Sequence, residues 1–263
     1  MRQLFSLLCV GMFAALFMVA CSKATEESAA PVSQDVLDQI ASLGFSTDGV
    51  VASDGGYIVE GDIFLTPSDF ANSKTTGKLI VANEEQYRTT NLVSVPGTSR
   101  NITISVSGTV NANFSAAIDA MITRYNSENL RLTFSRVASG GNINIRIVNT
   151  GQYIASAGFP TNSGNPYGEV KYANRYTNYS INFMTTVLAH EVGHCIGFRH
   201  TDYMNRAYSC GSGGNEGAST VGAIHIPGTP TGPDPNSWML ACLSATTNRP
   251  FNANDKTALA YLY

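Results

Sequence analysis

Hydrophobic residues recur along this chain in two rhythms, and each predicts a different element. At helical spacing, Val36, Leu37, Ile40 and Leu43 predict a short amphipathic helix over 34–43, with Ser33 as a cap and Gly44 as a stop. The same spacing returns at Ala117, Ile118, Met121, Ile122 and Tyr125 behind Asn113 as cap. A third set, Ile181, Met184, Val187, Leu188 and Val192, predicts a helix over about 180–196 with these residues as its buried face. Strand-like alternation marks 57–65, interrupted by Gly61, then 102–106, 130–137 and 143–148, with weaker stretches at 153–157 and 169–172. Residues 203–236, rich in glycine and proline, read as a long loop, and 252–263 as a C-terminal helix. Strands and helices in this order predict an α+β fold.

Composition adds compartment and organisation. A run from Leu4 to Ala20 behind Arg2 reads as a signal peptide over 1–20. Met18-Val19-Ala20-Cys21 is similar to a bacterial lipobox, with Met18 where leucine is usual, which makes Cys21 the lipidated residue and the membrane anchor. Residues 21–33 are small, polar or acidic and predict a tether; 34–88 reads as a prosegment-like region and 89–263 as the catalytic domain. The polar stretch 78–100 around Glu84-Glu85-Gln86-Tyr87-Arg88 is where a propeptide would be cut, if it is not simply an uncut connector. Net charge is −3 with 13% charged residues and no basic block, so nucleic acid is not expected as a partner. Setting aside Cys9 and Cys21 leaves Cys195, Cys210 and Cys242: enough for one disulfide, with Cys210 and Cys242, both outside the predicted helix, the preferred pair.

The chemistry is concentrated in His190-Glu191-Val192-Gly193-His194-Cys195-Ile196-Gly197-Phe198-Arg199-His200, which holds three of the four histidines. Four residues apart on a helix, His190 and His194 share one face and can grip one ion. Glu191 sits beside them as a general base that is not itself a ligand. Gly197 can end the helix in a left-handed conformation and bring His200 back as the third ligand. Three neutral nitrogens and one open position describe a catalytic zinc; a structural zinc usually has four protein ligands. Cys195, one position on from His194, is rotated about 100° away and reads as core. His225 in the loop reads as an ordinary exposed histidine rather than a second metal site, and Asp202 as either a solvated turn or an acceptor for a ligand imidazole.

The extended motif resembles the metzincin clan of zinc endopeptidases, and its wording looks closest to the bacterial dual-action HEIGH metallopeptidases. That resemblance implies a metzincin-like fold with a twisted mixed sheet, an active-site helix, a Met-turn and a C-terminal helix. In that clan the strand before the active-site helix forms the upper rim of the cleft and pairs with extended substrate. It also implies a methionine packed beneath the ligands, for which Met239 fits better than Met204, too close behind His200 to loop under it. Where astacins and serralysins carry a tyrosine two positions after that methionine, this chain has Ala241, so the oxyanion must be met by another group or by zinc alone. Val59-Glu60-Gly61-Asp62 resembles the F-x-G-D prosegment motif of astacin-type metzincins, whose aspartate caps the zinc; an ordinary Gly-Asp turn is the other reading.

Together these expectations describe an exported, lipid-anchored zinc endopeptidase of the bacterial cell envelope, at the outer membrane or cell surface, a monomer acting on protein or peptide substrates. The reading from a different class is a surface-anchored binding or adhesion lipoprotein whose zinc site is structural or vestigial. Glu191 weighs against it, because a site with no catalytic duty has no use for a base there.

Overall fold

The computed structural model describes residues 31–71, 86–217, 222–230 and 232–263. The signal peptide, Cys21, most of the tether, and Glu84 and Glu85 lie outside the described residues. Among the described residues no helix is long and apolar enough to cross a membrane.

The chain runs α1 (Gln34–Ser42), β1 (Val51–Ser53), β2 (Gly56–Val59), β3 (Ile63–Leu65), α2 (Pro67–Ala71), β4 (Tyr87–Arg88), β5 (Arg100–Ser107) and α3 (Ala112–Asn126). It continues with β6 (Leu132–Arg136), β7 (Ile143–Val148), β8 (Ala155–Ala157), β9 (Glu169–Ala173), α4 (Ile181–Ile196), α5 (Ala207–Cys210), β10 (Ile224–His225) and α6 (Ala253–Leu262). Eight strands form one mixed sheet in the order β1-β2-β3-β8-β9-β7-β5-β6. β6, β5, β7 and β9 are parallel, β8 runs antiparallel to β9, and β3 joins β8 in parallel.

The parallel strands and helices α3 and α4 share one core, in which Ile102, Ile104, Ile143, Ile145 and Val170 meet Phe114, Met121, Leu188 and Val192. The Tyr125 hydroxyl of α3 donates to the Ala189 carbonyl of α4 at 2.7 Å, which satisfies a polar atom buried against an otherwise apolar helix. α3 is capped by Asn111, whose side chain accepts from Phe114 N, and not by Asn113. The predicted face of α4 also needs one correction. Ile181 lies in the first turn and is 40% exposed, while Met184, Val187, Leu188 and Val192 are buried.

Two further departures bear on the site. β9, the strand immediately before α4, is interior to the sheet; the strand that meets the N-terminal region is β8, one earlier. The expected long loop contains α5 and β10, and β10 pairs antiparallel with β4. Residues 86–89 are woven into the motif region: Arg199 N donates to Tyr87 O, Thr89 N to Gly197 O, and Gln86 Nε2 to Asp255. These hydrogen bonds tie the chain on both sides of Arg88 to the later segments.

Cys210 and Cys242 form a disulfide, and Cys195 is free and buried in the core. The bridge links residues 32 apart in the sequence. Loop-closure entropy for that length is about 3–4 kcal/mol. Cys210→Ser with Cys242→Ser is therefore expected to lower the melting temperature by roughly 10 °C, read by calorimetry. An unchanged melting temperature would mean that the loop is held by its other contacts.

Candidate metal centre

α4 is built to deliver two imidazoles and then stop. Ser180 caps it, its side chain accepting from Phe183 N at 3.2 Å. Gly197 ends it at φ 110°, and Phe198 N then returns to Gly193 O at 2.9 Å. A Cβ on Gly197 would lie 2.7 Å from Leu92 and 3.1 Å from Asn91 O, so both backbone conformation and packing require glycine there. The turn carries His200 out of helical register and back to the face that holds His190 and His194.

Each imidazole is oriented through Nδ1. His190 Nδ1 lies 3.0 Å from Trp238 O, and His194 Nδ1 lies 2.8 Å from Phe198 O. A carbonyl oxygen only accepts, so these Nδ1 atoms carry the proton and leave the Nε2 lone pairs facing inward. His200 Nδ1 lies 2.7 Å from Glu216 Oε1 and is oriented the same way. The inward atoms converge: His194 Nε2 is 3.2 Å from His200 Nε2, and Asp62 Oδ2 is 3.1 Å from His200 Nε2 and 3.3 Å from His190 Nε2.

These spacings fit a metal. Ligand atoms 2.0–2.1 Å from a tetrahedral ion lie roughly 3.3 Å from one another. Two imidazole lone pairs facing each other at 3.2 Å repel unless a cation or proton lies between them. His190 Nε2, Asp62 Oδ1 and Glu191 Oε2 are also buried with no hydrogen-bond partner, which a bound ion and its water would remedy. Asp62, His190, His194 and His200 are one of two groups among the described residues with donor atoms close enough to hold an ion; the other, Glu60, His200 and Glu216, shares His200.

Burial, then the neighbouring imidazoles of His190 and His200, pushes His194 well below the usual histidine range, the neutral state a ligand needs. Burial alone would do the same to His200, but the carboxylates of Asp62 and Glu216 hold it well above. Asp62 responds in kind: despite burial, His200 keeps its carboxyl well below the ordinary range. Burial and then the Asp62 charge push Glu191 up.

Asp62 reaches the histidines because of the β2–β3 hairpin. Val59 pairs with Ile63, so the tip is Glu60-Gly61-Asp62, with Glu60 at φ 56° and Gly61 at φ 93°. A buried non-glycine residue in the left-handed region costs about 1–3 kcal/mol, so the surroundings must enforce this turn. They do so through contacts to the buried carboxyl and the carbonyl of Glu60. Glu60 Oε2 is 3.7 Å from Arg199 Nη2, the Glu60 carbonyl accepts from Arg206 Nη1, and Ser46 N donates to Glu60 Oε1. Behind the tip, a cavity of about 220 Å³ is lined by His190, Glu191, Val187, Ala241 and Leu243.

Met239 lies fully buried beneath α4, and Thr201 N donates to its carbonyl. A Cβ on Gly193 would sit 2.6 Å from Met239 Sδ. Gly193→Ala is expected to displace the methionine and destabilise the protein by roughly 1–3 kcal/mol, with weaker metal retention during dialysis as the second readout. Full stability and retention would show that the turn beneath the ligands is slack.

The other candidate residues fall elsewhere. Met204 packs with Tyr87, Tyr203 and Ala223 in a separate cluster. His225 Nε2 lies 3.0 Å from Thr229 Oγ1, in neither ion-holding group. Asp202 is buried and binds Ser209 Oγ and Ala241 N, not an imidazole. The carboxylate on the His200 Nδ1 is instead Glu216. No motif or spacing in the sequence singles it out, because it stands 16 residues past His200 in a glycine-rich stretch.

A family model described as the dual-action HEIGH metallopeptidase family matches residues 57–263, a span that begins at the hairpin. Two solved structures titled as myroilysin are similar to the chain. One has 16% identity and a TM-score of 0.43, covering 64% of this chain and 83% of that one. The other has 16% identity and a TM-score of 0.41, covering 77% and 98%. No curated protein matches.

Proposed function

Since the chain belongs to the dual-action HEIGH metallopeptidase family, we propose that it is a zinc-dependent endopeptidase of metzincin type, exported and lipid-anchored through Cys21, that cleaves proteins of the cell envelope or its surroundings. The observation that carries the reading is the convergence of three imidazoles, with the His194 and His200 Nε2 atoms 3.2 Å apart and the donor atoms of all three within 4.8 Å of one another, beside the buried, unpartnered Oε2 of Glu191. His190, His194 and His200 would hold the ion; zinc supplies a Lewis acid that acidifies a water and polarises a peptide carbonyl.

The remaining steps belong to the chain. Glu191, next to His190 and lining the same cavity, takes the proton from the attacking water and later delivers it to the leaving amine. The edge of β8 is where an extended substrate pairs through its backbone. That edge is engaged by the hairpin, with Ile63 paired to Ala157 and Ala157 N donating to Asp62 O. Asp62 takes the place at the ligands that a substrate carbonyl and water require. The arrangement therefore fits a latent form that opens when the hairpin leaves.

The test is zinc content per chain together with cleavage of casein by purified protein, with and without a chelator, before and after limited proteolysis. One zinc per chain and chelator-sensitive cleavage are expected. Bound zinc with no cleavage under any of these conditions would favour the surface-anchored binding lipoprotein instead.

A further inference from the structure

The three ligands are not held alike. His190 and His194 rest their Nδ1 atoms on backbone carbonyls, which no side-chain substitution removes. His200 lies beyond the end of α4, and its Nδ1 partner is a single side chain, Glu216 at 2.7 Å, with both residues completely buried.

The loop around Glu216 is built to keep a carboxylate there. Glu216 N donates to Tyr203 O at 2.7 Å, and Gly217 N to Asn215 Oδ1 at 2.7 Å. Gly217 is at φ 72°, and a Cβ on it would fall 2.0 Å from the Gly44 carbonyl oxygen, so the residue after Glu216 has to be glycine. Two guanidinium groups balance the buried charge. Arg206 Nε is 3.5 Å from Oε1, and Arg199 Nη2 is 3.6 Å from Oε2. Arg199 is anchored in turn by the carbonyls of Gly217 and Gly222 at 3.2 and 3.1 Å.

We propose that Glu216 is the positioning residue of the metal centre: it fixes the ring of His200 with Nε2 toward the ion and adds negative charge behind that ligand. A carboxylate behind a ligand imidazole raises its basicity, and losing such a partner typically weakens metal binding by about 10–100-fold. Arg199 joins this function to the hairpin, because the same guanidinium faces Glu60 and Glu216. The competing role for Glu216 is structural only, a counter-charge for buried Arg199 and Arg206.

The inference rests on the zinc-site reading, and the experiment separates the two. Zinc affinity is measured on purified full-length protein by competition with a chromophoric chelator, and the visible spectrum is recorded with Co(II) in place of zinc. The variants are Glu216→Ala and Glu216→Gln, with melting curves for each. Glutamine keeps an oxygen that accepts from His200 but has no charge. Zinc affinity is expected to fall about 10–100-fold in the alanine variant and less in the glutamine variant, with shifted Co(II) bands in both. Lower melting temperatures with wild-type zinc affinity and wild-type Co(II) bands would overturn the assignment in favour of the structural role. If the alanine variant does not fold, the same result for glutamine alone overturns it. Wild-type protein that binds neither metal would instead sink the zinc-site reading before any variant is compared.

Discussion

Glu191→Ala is expected to reduce proteolysis by about 10³-fold while zinc content and melting temperature stay near those of the parent, in line with the 10²–10⁴ that a positioned general base contributes. Glu191 is 2% exposed, and its Oε2 has no partner among the described residues, so removing it strands no other buried group. Nor does it supply a ligand atom to either ion-holding group. The comparison is best made in an Asp62→Ala background, so that latency does not hide the loss, with casein cleavage and zinc per chain measured together. Cleavage persisting at more than a tenth of the parent rate would end the case for Glu191 as the base. Loss of zinc alongside activity would make it a structural residue.

Asp62→Ala should do the opposite, giving the uncut full-length chain chelator-sensitive activity that the unaltered chain lacks until it is opened. Asp62 is 14% exposed and lies 3.1 and 3.3 Å from the Nε2 atoms of His200 and His190. Breaking a buried ion pair by removing one partner costs roughly 3–5 kcal/mol, which shifts the balance between closed and open hairpin by about 10²–10⁴-fold. The remaining tip contacts run from Arg199, Arg206 and Ser46 to Glu60, and through the strand pairing to β8. Asp62→Asn should fall between the two, since an amide is a weaker ligand than a carboxylate. Equal activity in all three uncut proteins would show that the hairpin does not govern access.

Much of this centre is legible in the sequence because its residues are close along the chain. A helix of known pitch fixes His190, Glu191 and His194 relative to one another, and Gly197 announces the turn that returns His200. The α+β order of elements is legible for the same reason, since periodicity is a local property. Expectation and structure part where neighbours in space decide. Asn113 has the right composition for a cap, yet Asn111 takes the position where its side chain reaches Phe114 N. Ile181 fits the apolar stripe, but at the first position of α4 it stays 40% exposed while Phe183 and Met184 behind it are buried. Asp62 can be read from sequence only as a ligand or a turn; the structure makes it the last residue of a turn and puts it against the imidazoles of His190 and His200. Glu60, Arg199 and Glu216 are invisible as a group. They come from three separate segments, and buried charge is defined by partners that no spacing rule connects.

The shape of the hairpin tip also bears on how the protein ages. An endopeptidase cuts a backbone laid out straight along the edge of a sheet, whereas Glu60 and Gly61 bend at φ 56° and 93° where the chain crosses the histidines. In the latent form we propose, the bonds nearest the histidines would thus be folded out of the geometry in which they are attacked, and the hairpin would act as an inhibitor rather than a slow substrate. A store of such molecules would then not ripen by consuming its own plug, and the clock for release would be set by whatever reaches the chain from outside.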